Sequence, residues 1–190
     1  PGYLSPVFTI GSEEVPMHRS MRISVPVDAS YDGDPAKLTL VRLRGKRRSA
    51  VGAEYKDGCL VADVNTFGRY AVTTDTKAPT ISKGNKTARR ISYKISDDLS
   101  GIDTYRGEID GQFALMELDG KTGTLSFDID RKRFPDTGKA RKVTIRVTDG
   151  AGNESTLNDT FDGPVVTQKA KKRSGKAAPR KRTSSKKRRR

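Results

Sequence analysis

The sequence predicts an all-β protein made of two tandem immunoglobulin-like β-sandwich modules followed by a disordered basic tail. Three turn phrases lie at residues 97–102, 109–112 and 149–153, and their Gly, Asp and Asn residues accept the positive backbone angles of tight hairpins. Between such turns apolar and polar residues alternate with the period of two that is typical of a half-buried strand. Residues 141–148, for example, place Val and Ile on one face and charged side chains on the other. Modules of this kind bind, space or support other domains more often than they catalyse.

Residues 1–76 are predicted to form the first module. Its strands are expected at residues 4–10, 21–27, 37–44, 50–55, 59–64 and 69–74. Asp57-Gly58 predicts a tight hairpin between the fourth and fifth strands. The basic turn at residues 44–48 is either a solvated loop or an anion contact. Pro79 then marks a boundary, because proline cannot continue a central strand, and the short link predicts modules that sit end to end.

Residues 77–164 are predicted to form the second module, again without a convincing helix. Its strands are expected at residues 90–96, 104–109, 112–118, 124–129, 142–149 and 155–161. The side chains expected to build the two cores are Phe8, Ile23, Leu40, Tyr70, Val72, Tyr93, Ile95, Phe113, Leu115, Phe127, Ile145 and Val147.

The net charge of +15 belongs mainly to the predicted tail, residues 165–190. Positions 169–190 carry 13 of the 38 Lys and Arg residues and no acid, which leaves 25 basic against 23 acidic residues before them. Such a run attracts nucleic acid, anionic lipid or acidic wall polymer through counterion release, and its lack of aromatic residues disfavours single-strand recognition. The residues expected to make this attachment are Lys171, Lys172, Arg173, Arg180, Lys181, Arg182, Lys186, Lys187, Arg188, Arg189 and Arg190.

Strong metal donors are scarce in the sequence. Cys59 is the one cysteine, which excludes an internal disulfide and is interpreted as a buried structural thiol. His18 is the one histidine and is expected to pack and hydrogen-bond at the edge of the first module, so a hydrolytic zinc site of three protein ligands is not expected. No catalytic residue and no cofactor are therefore expected in this chain.

Carboxylates offer an alternative metal site, one for calcium. Calcium takes six to eight oxygen ligands, and the ends of β-sandwiches often supply them. The residues that could converge at one pole of the second module are Asp75, Asp97, Asp98, Asp103, Asp149 and Asn153, and the candidate calcium ligands among them are Asp97, Asp98, Asp149 and Asn153. Asp-Gly turn chemistry already explains most of them, and the spacing matches no EF-hand loop.

Three groups of phrases together resemble a known family. They are Tyr3-Leu-Ser-Pro-Val-Phe-Thr-Ile-Gly11 with Val15-Pro-Met-His18, Phe67-Gly-Arg-Tyr-Ala-Val72 leading into Asp75-Thr-Lys-Ala-Pro-Thr-Ile81, and Asp98-Leu-Ser-Gly-Ile102 with Tyr105-Arg-Gly-Glu-Ile-Asp-Gly111 and Asp149-Gly-Ala-Gly-Asn153. This arrangement, over about residues 1–163, is similar to the C-terminal accessory region of lysostaphin-like zinc metallopeptidases of anaerobic Gram-negative bacteria.

The resemblance implies a non-catalytic part of an exported cell-wall hydrolase. The zinc and the catalytic residues would belong to a peptidase domain upstream of Pro1, and the expected location is the periplasm or cell envelope. The expected partners are that domain and peptidoglycan or an anionic envelope polymer, with no transmembrane segment. Two alternatives stay open: a nucleic-acid-binding protein that uses the basic tail, and an adhesin-like extracellular module.

Overall fold

The computed structural model describes residues 2–87, 89–135 and 138–162, and the fold is all-β, as predicted. Within these residues the regular elements are fifteen strands and one turn of 3₁₀-helix, Pro35–Lys37. No helix in the described part of the chain is long and apolar enough to cross a membrane. The predicted attachment residues Lys171 to Arg190, and the tail that contains them, lie outside the described residues.

The first seven strands form two antiparallel sheets. The strands are β1 (Phe8–Ile10), β2 (Met21–Pro26), β3 (Leu38–Arg44), β4 (Arg47–Val51), β5 (Glu54–Lys56), β6 (Cys59–Val64) and β7 (Gly68–Thr74). One sheet has the order β1-β7-β3-β4, and the other has the order β2-β6-β5.

The remaining eight strands form two further antiparallel sheets. The strands are β8 (Thr80–Lys86), β9 (Arg90–Ser96), β10 (Ile102–Ile109), β11 (Gln112–Ala114), β12 (Glu117–Asp119), β13 (Thr124–Asp128), β14 (Ala140–Asp149) and β15 (Glu154–Asp162). Their orders are β11-β10-β14-β15 and β12-β13-β9-β8.

The two halves of the chain share a connectivity that the sequence does not reveal. Strands β2 to β7 pair with one another in the same pattern as β9 to β14. Strand β3 pairs with β4 and β7, just as β10 pairs with β11 and β14, and β6 pairs with β2 and β5, just as β13 pairs with β9 and β12. The halves differ at their edges, because β1 covers β7 in the first module whereas β15 covers β14 in the second.

In each module the chain crosses from one sheet to the other at the same point of this pattern, between two short consecutive strands. The predicted single strand at residues 50–55 is instead β4 and β5, separated by Gly52-Ala53, and each belongs to a different sheet. The predicted strand at 112–118 is likewise β11 and β12, separated by Leu115-Met116. Those predictions were wrong because continuous apolar alternation does not record where a chain crosses from one layer to the other. Strand β8 was not predicted.

Each pair of sheets encloses a hydrophobic core, and ten of the twelve predicted core side chains lie in these cores or pack against them. Phe113 and Leu115 do not: they are 43% and 68% exposed. Their neighbours Ala114 and Met116 face the core instead. Met116 occupies the space above Gly107, where an added Cβ would lie 2.6 Å from its sulfur.

An ion cluster around the buried carboxylate of Asp159 joins the two edge strands β8 and β15. The Asp159 side chain is 3% exposed and lies 2.9 Å from Lys83 Nζ and 2.5 Å from Lys86 Nζ. It also accepts a 3.1 Å hydrogen bond from the hydroxyl of Tyr93. Because β8 and β15 belong to opposite sheets, this cluster fastens the open side of the second sandwich.

Candidate functional site at the junction of the two sandwiches

Three short segments meet where the two sandwiches join. The first is the link after β7, in which Asp75 is buried and its backbone N–H donates to the carbonyl of Lys37 over 2.8 Å. One carboxylate oxygen of Asp75, Oδ1, accepts from the N–H of Lys77, and the other, Oδ2, accepts from the N–H of Ser100 in the second module. Asp75 therefore belongs to both modules.

The second segment is the turn between β9 and β10. Oδ2 of Asp97 accepts hydrogen bonds from the N–H groups of Leu99 (2.9 Å) and Gly101 (2.8 Å), which closes the turn. Oδ1 of Asp97 is sealed from solvent and has no hydrogen-bond partner among the described residues, and the same holds for the hydroxyl of Ser100. Buried polar atoms are normally satisfied, so these two unpaired atoms in one turn are unusual.

The third segment is the turn between β14 and β15. Asp149 is almost completely buried, and its Oδ1 accepts from the N–H groups of Ala151 (2.9 Å) and Asn153 (2.8 Å). The side-chain amide of Asn153 donates to Oδ2 of Asp149 over 2.8 Å and to the backbone carbonyl of Asp75 over 3.1 Å. Asn153 thereby ties this turn to the link between the modules.

The three carboxylates converge. Asp75, Asp97 and Asp149 each offer an oxygen, and these oxygens all lie within 4.8 Å of one another. Like charges at this spacing repel, and burial removes the water that would screen them. A cation bound between them would relieve that repulsion. Oxygen donors suit Ca²⁺, which would complete its coordination with further oxygens such as waters or carbonyls.

The other residues of the predicted calcium set lie elsewhere or act differently. Asp98 is exposed and pairs with Lys77 Nζ at 2.6 Å, and that hydrogen bond lowers the pKa of its carboxyl. Asp103 is exposed on β10. Asn153 contributes its amide as a donor rather than an oxygen to the cluster. The Asx-type turn phrases signalled Asp97 and Asp149, but the buried position of Asp75 follows from the docking of the modules, which no local pattern records.

A small apolar contact completes the junction. Val41, Leu43 and Ala71 point away from the core of the first sandwich and are nearly inaccessible to solvent, and Leu99 packs against them. The Lys37 ammonium donates to the carbonyl of Ala151 over 2.8 Å. The turn between β9 and β10 therefore places Leu99 on the outer face of a sheet of the first sandwich, whereas the turn between β14 and β15 contacts Lys37 and Asp75 at the ends of β3 and β7.

The one histidine and the one cysteine of the sequence, His18 and Cys59, are not among the residues of the junction described above. His18 is exposed in the loop between β1 and β2, rather than packed against the module edge as expected. Cys59, expected to be buried, is half-buried at the start of β6. Within the described ranges, the one group of at least three clustered metal-ligating side chains is Asp75, Asp97 and Asp149, and it contains neither His nor Cys.

These features define a class: a tandem β-sandwich protein whose modules are joined through an acidic, hydrogen-bonded junction. Residues 1–75 are similar to the family description of the Zu5-like domain. The matched region ends at Asp75, one of the residues through which the first module contacts the second. No curated protein matches the chain.

Proposed function

We propose that this chain is a non-catalytic accessory region of an exported bacterial cell-wall metallopeptidase, and that it holds an upstream zinc peptidase domain at a fixed orientation on peptidoglycan. The observation that supports this proposal is the junction. Hydrogen bonds link Asp75 to Ser100 and Asn153, a further one links Lys37 to Ala151, and Leu99 covers an apolar face of the first module.

A junction of this kind suits a spacer. Two modules on a free linker sample many orientations, whereas modules with direct contacts present a following or preceding domain in one direction. Restricting that freedom raises the effective concentration of a tethered catalytic domain at its polymeric substrate. The basic tail would add electrostatic attachment to anionic envelope polymer or lipid, which weakens as salt increases.

The test is a pull-down of the purified chain on peptidoglycan sacculi, with and without residues 165–190, at low and high salt. The proposal predicts that the chain is retained at low salt, that removing the tail weakens retention, and that the chain releases no muropeptides on its own. Release of muropeptides by the pure chain, or no retention under any condition, would overturn it. The gene sequence before Pro1 is an independent check, because the proposal requires a zinc-peptidase domain there.

A second candidate function is a calcium-stabilised extracellular module, and the carboxylate cluster with the unpaired Oδ1 of Asp97 favours it. Bound Ca²⁺ would stabilise the folded chain by mass action, with a rise in Tm of about 5–10 °C at saturating metal. Asp97→Asn should abolish that rise, whereas Asp98→Asn, the adjacent exposed carboxylate, should preserve it. An identical Tm with Ca²⁺ and with chelator would exclude this function.

A further inference from the structure

The hairpin between β3 and β4 ends in a group of cations that the proposed spacer role does not use. Arg44, Lys46 and Arg47, here named the cationic tip, surround Gly45, whose φ of 57° closes the turn. All three side chains are exposed. Arg48 and Arg69 are exposed next to the tip, since the strand register places both of them opposite Leu43 on the two neighbouring strands.

The fold does not neutralise the cationic tip. Its three residues take part in none of the seven ion pairs found between described residues. Residues 38–53 contain no Asp or Glu at all. Arg44 also stands directly opposite Arg47 in the register, and like charges in directly opposed positions destabilise a sheet. The three tip residues, which form no ion pair with a described residue, are suited to an external anion, whereas Arg48 lies near Asp98 and helps to lower the pKa of that carboxyl.

The shape of the patch restricts what that anion can be. Strand β7 pairs with β3 as far as Leu43, so only the few residues of the tip project beyond the sheet. This is too short a ribbon to enter the major groove of duplex DNA, which accommodates a two-stranded ribbon or a helix. Residues 38–53 contain no aromatic side chain on which an unpaired base could stack.

Two of the five cations, Arg48 and Arg69, lie on the strands on either side of β3, on the face of Leu43 and not on that of Arg44 and Arg47. With strands about 4.8 Å apart, the row Arg48, Leu43, Arg69 spans about 10 Å beside the tip. Arginine presents a rigid fork of donors that matches phosphate oxygens in a bidentate manner. We propose that the cationic tip binds a flexible phosphate-bearing polymer, independently of the C-terminal tail and of any peptidase domain.

The test uses the full chain and inorganic polyphosphate of defined length as the probe. The tip variant combines Arg44→Gln, Lys46→Gln and Arg47→Gln. The control variant combines Arg19→Gln, Lys56→Gln and Arg131→Gln, three exposed cations that lie apart in the sequence, so that both variants carry the same net charge and the same tail. Affinity is measured across a range of salt concentrations, and the amide signal of Gly45 is followed by NMR during the titration.

The tip variant should lose about tenfold or more in affinity at low salt, and the slope of log K against log salt should decrease by about 2, since each phosphate contact contributes about 0.7–0.9. The control variant should change by less than about threefold. Equal losses in the two variants, or an unshifted Gly45 amide, would show that only net charge or the tail matters and would overturn the proposal. If the tip-dependent part of binding is tighter for DNA than for polyphosphate of equal charge, the ligand of the tip is nucleic acid and not the proposed polymer.

Discussion

Lys37 and Ala151 are joined across the junction: Nζ of Lys37 donates a 2.8 Å hydrogen bond to the backbone carbonyl of a residue 114 positions away. The turn that contains Ala151 is held a second time, because Asn153 donates to the carbonyl of Asp75. One turn of the second module is therefore fixed both to the 3₁₀ turn before β3 and to the end of β7. The orientation of the two modules depends on a few side chains that can be changed one at a time.

Leu99→Ala should loosen the junction. Leu99 is half-buried against Val41, Leu43 and Ala71, and truncation would expose that apolar face to water. We expect a loss of about 1–2 kcal/mol in the free energy of unfolding, below the range for fully buried leucines because Leu99 is only partly covered. The measurement is urea denaturation. The matched control is Leu115→Ala, which removes the same atoms from a side chain that is 68% exposed and should have almost no effect.

The same variant tests whether the contact fixes orientation as well as stability. Spin labels at exposed positions of the two modules, introduced by Lys56→Cys and Lys121→Cys with Cys59→Ser, report the distance between the modules by pulsed EPR. We expect a narrow distance distribution in the parent and a broader one with Leu99→Ala. A distribution of unchanged width would show that the hydrogen bonds alone hold the modules.

Asp159→Asn should change how stability depends on pH. Burial acts to raise the pKa of the Asp159 carboxyl, but hydrogen bonds from Lys86 and Lys83, with smaller contributions from Thr160 and Tyr93, outweigh it and hold that pKa well below its ordinary value. A lowered folded-state pKa gives stability that is complete above the ordinary pKa of about 3.9 and is lost as pH falls toward the folded value.

The parent should therefore lose more stability than Asp159→Asn when the pH is lowered from about 5 to 2. At pH 7 the substitution should cost about 1–3 kcal/mol, nearer the lower figure because Lys83 is 60% exposed and solvent screens its charge. Thermal unfolding at several pH values provides the measurement. Asp128→Asn is the control, since Asp128 is 72% exposed in a 3.5 Å pair with Arg90. Parallel pH profiles for the parent and Asp159→Asn would contradict this account.

The sequence predicted the fold class and most strands, and its errors have a common cause. Both faces of the segment from Phe113 to Leu118 carry apolar side chains, so alternation does not tell which face is buried. The answer depends on Gly107 in the neighbouring strand, because its missing side chain leaves the space that Met116 fills. That partner is distant in sequence, and a pattern read along one strand cannot include it.

Strand β8 and the junction were difficult to predict for a similar reason. Strand β8 has one apolar side chain, Ile81, and two lysines, so it lacks the apolar alternation of a strand. Its lysines are typical of an edge strand, and their partner Asp159 lies more than seventy residues later. The sequence already grouped Asp75 with Asp97 and Asp149 as residues that could converge, but the burial of Asp75 between the two modules depends on their docking, which no local pattern records.

Gly123→Ala should destabilise the hairpin between β12 and β13. Gly123 has a φ of +62°, and an added Cβ would lie 2.5 Å from the backbone carbonyl oxygen of Ile95, which cannot move aside cheaply. The left-handed backbone conformation alone costs an L-residue about 1 kcal/mol, and the clash adds to it, so we expect a loss of about 2 kcal/mol or more. Gly120→Ala, in the same turn with no atom within 4 Å of the added Cβ, should be tolerated. Chemical denaturation of both variants provides the comparison, and equal losses would contradict the steric argument.

Tyr70→Phe should weaken the first module by removing a single hydroxyl. Tyr70 is 1% exposed, and its hydroxyl donates to the carbonyl of Thr66, four residues earlier in the chain. A tyrosine that bonds back to the backbone in this way fixes the entry to its strand in many β-sandwiches. We expect a loss of about 1 kcal/mol with an unchanged m value in urea, because the ring still fills the core and only the hydroxyl's hydrogen bonds with the carbonyl and the side chain of Thr66 are lost. Tyr55→Phe, at a side chain that is 44% exposed, is the control, and if it costs as much as Tyr70→Phe, the bond to Thr66 does not hold the strand entry.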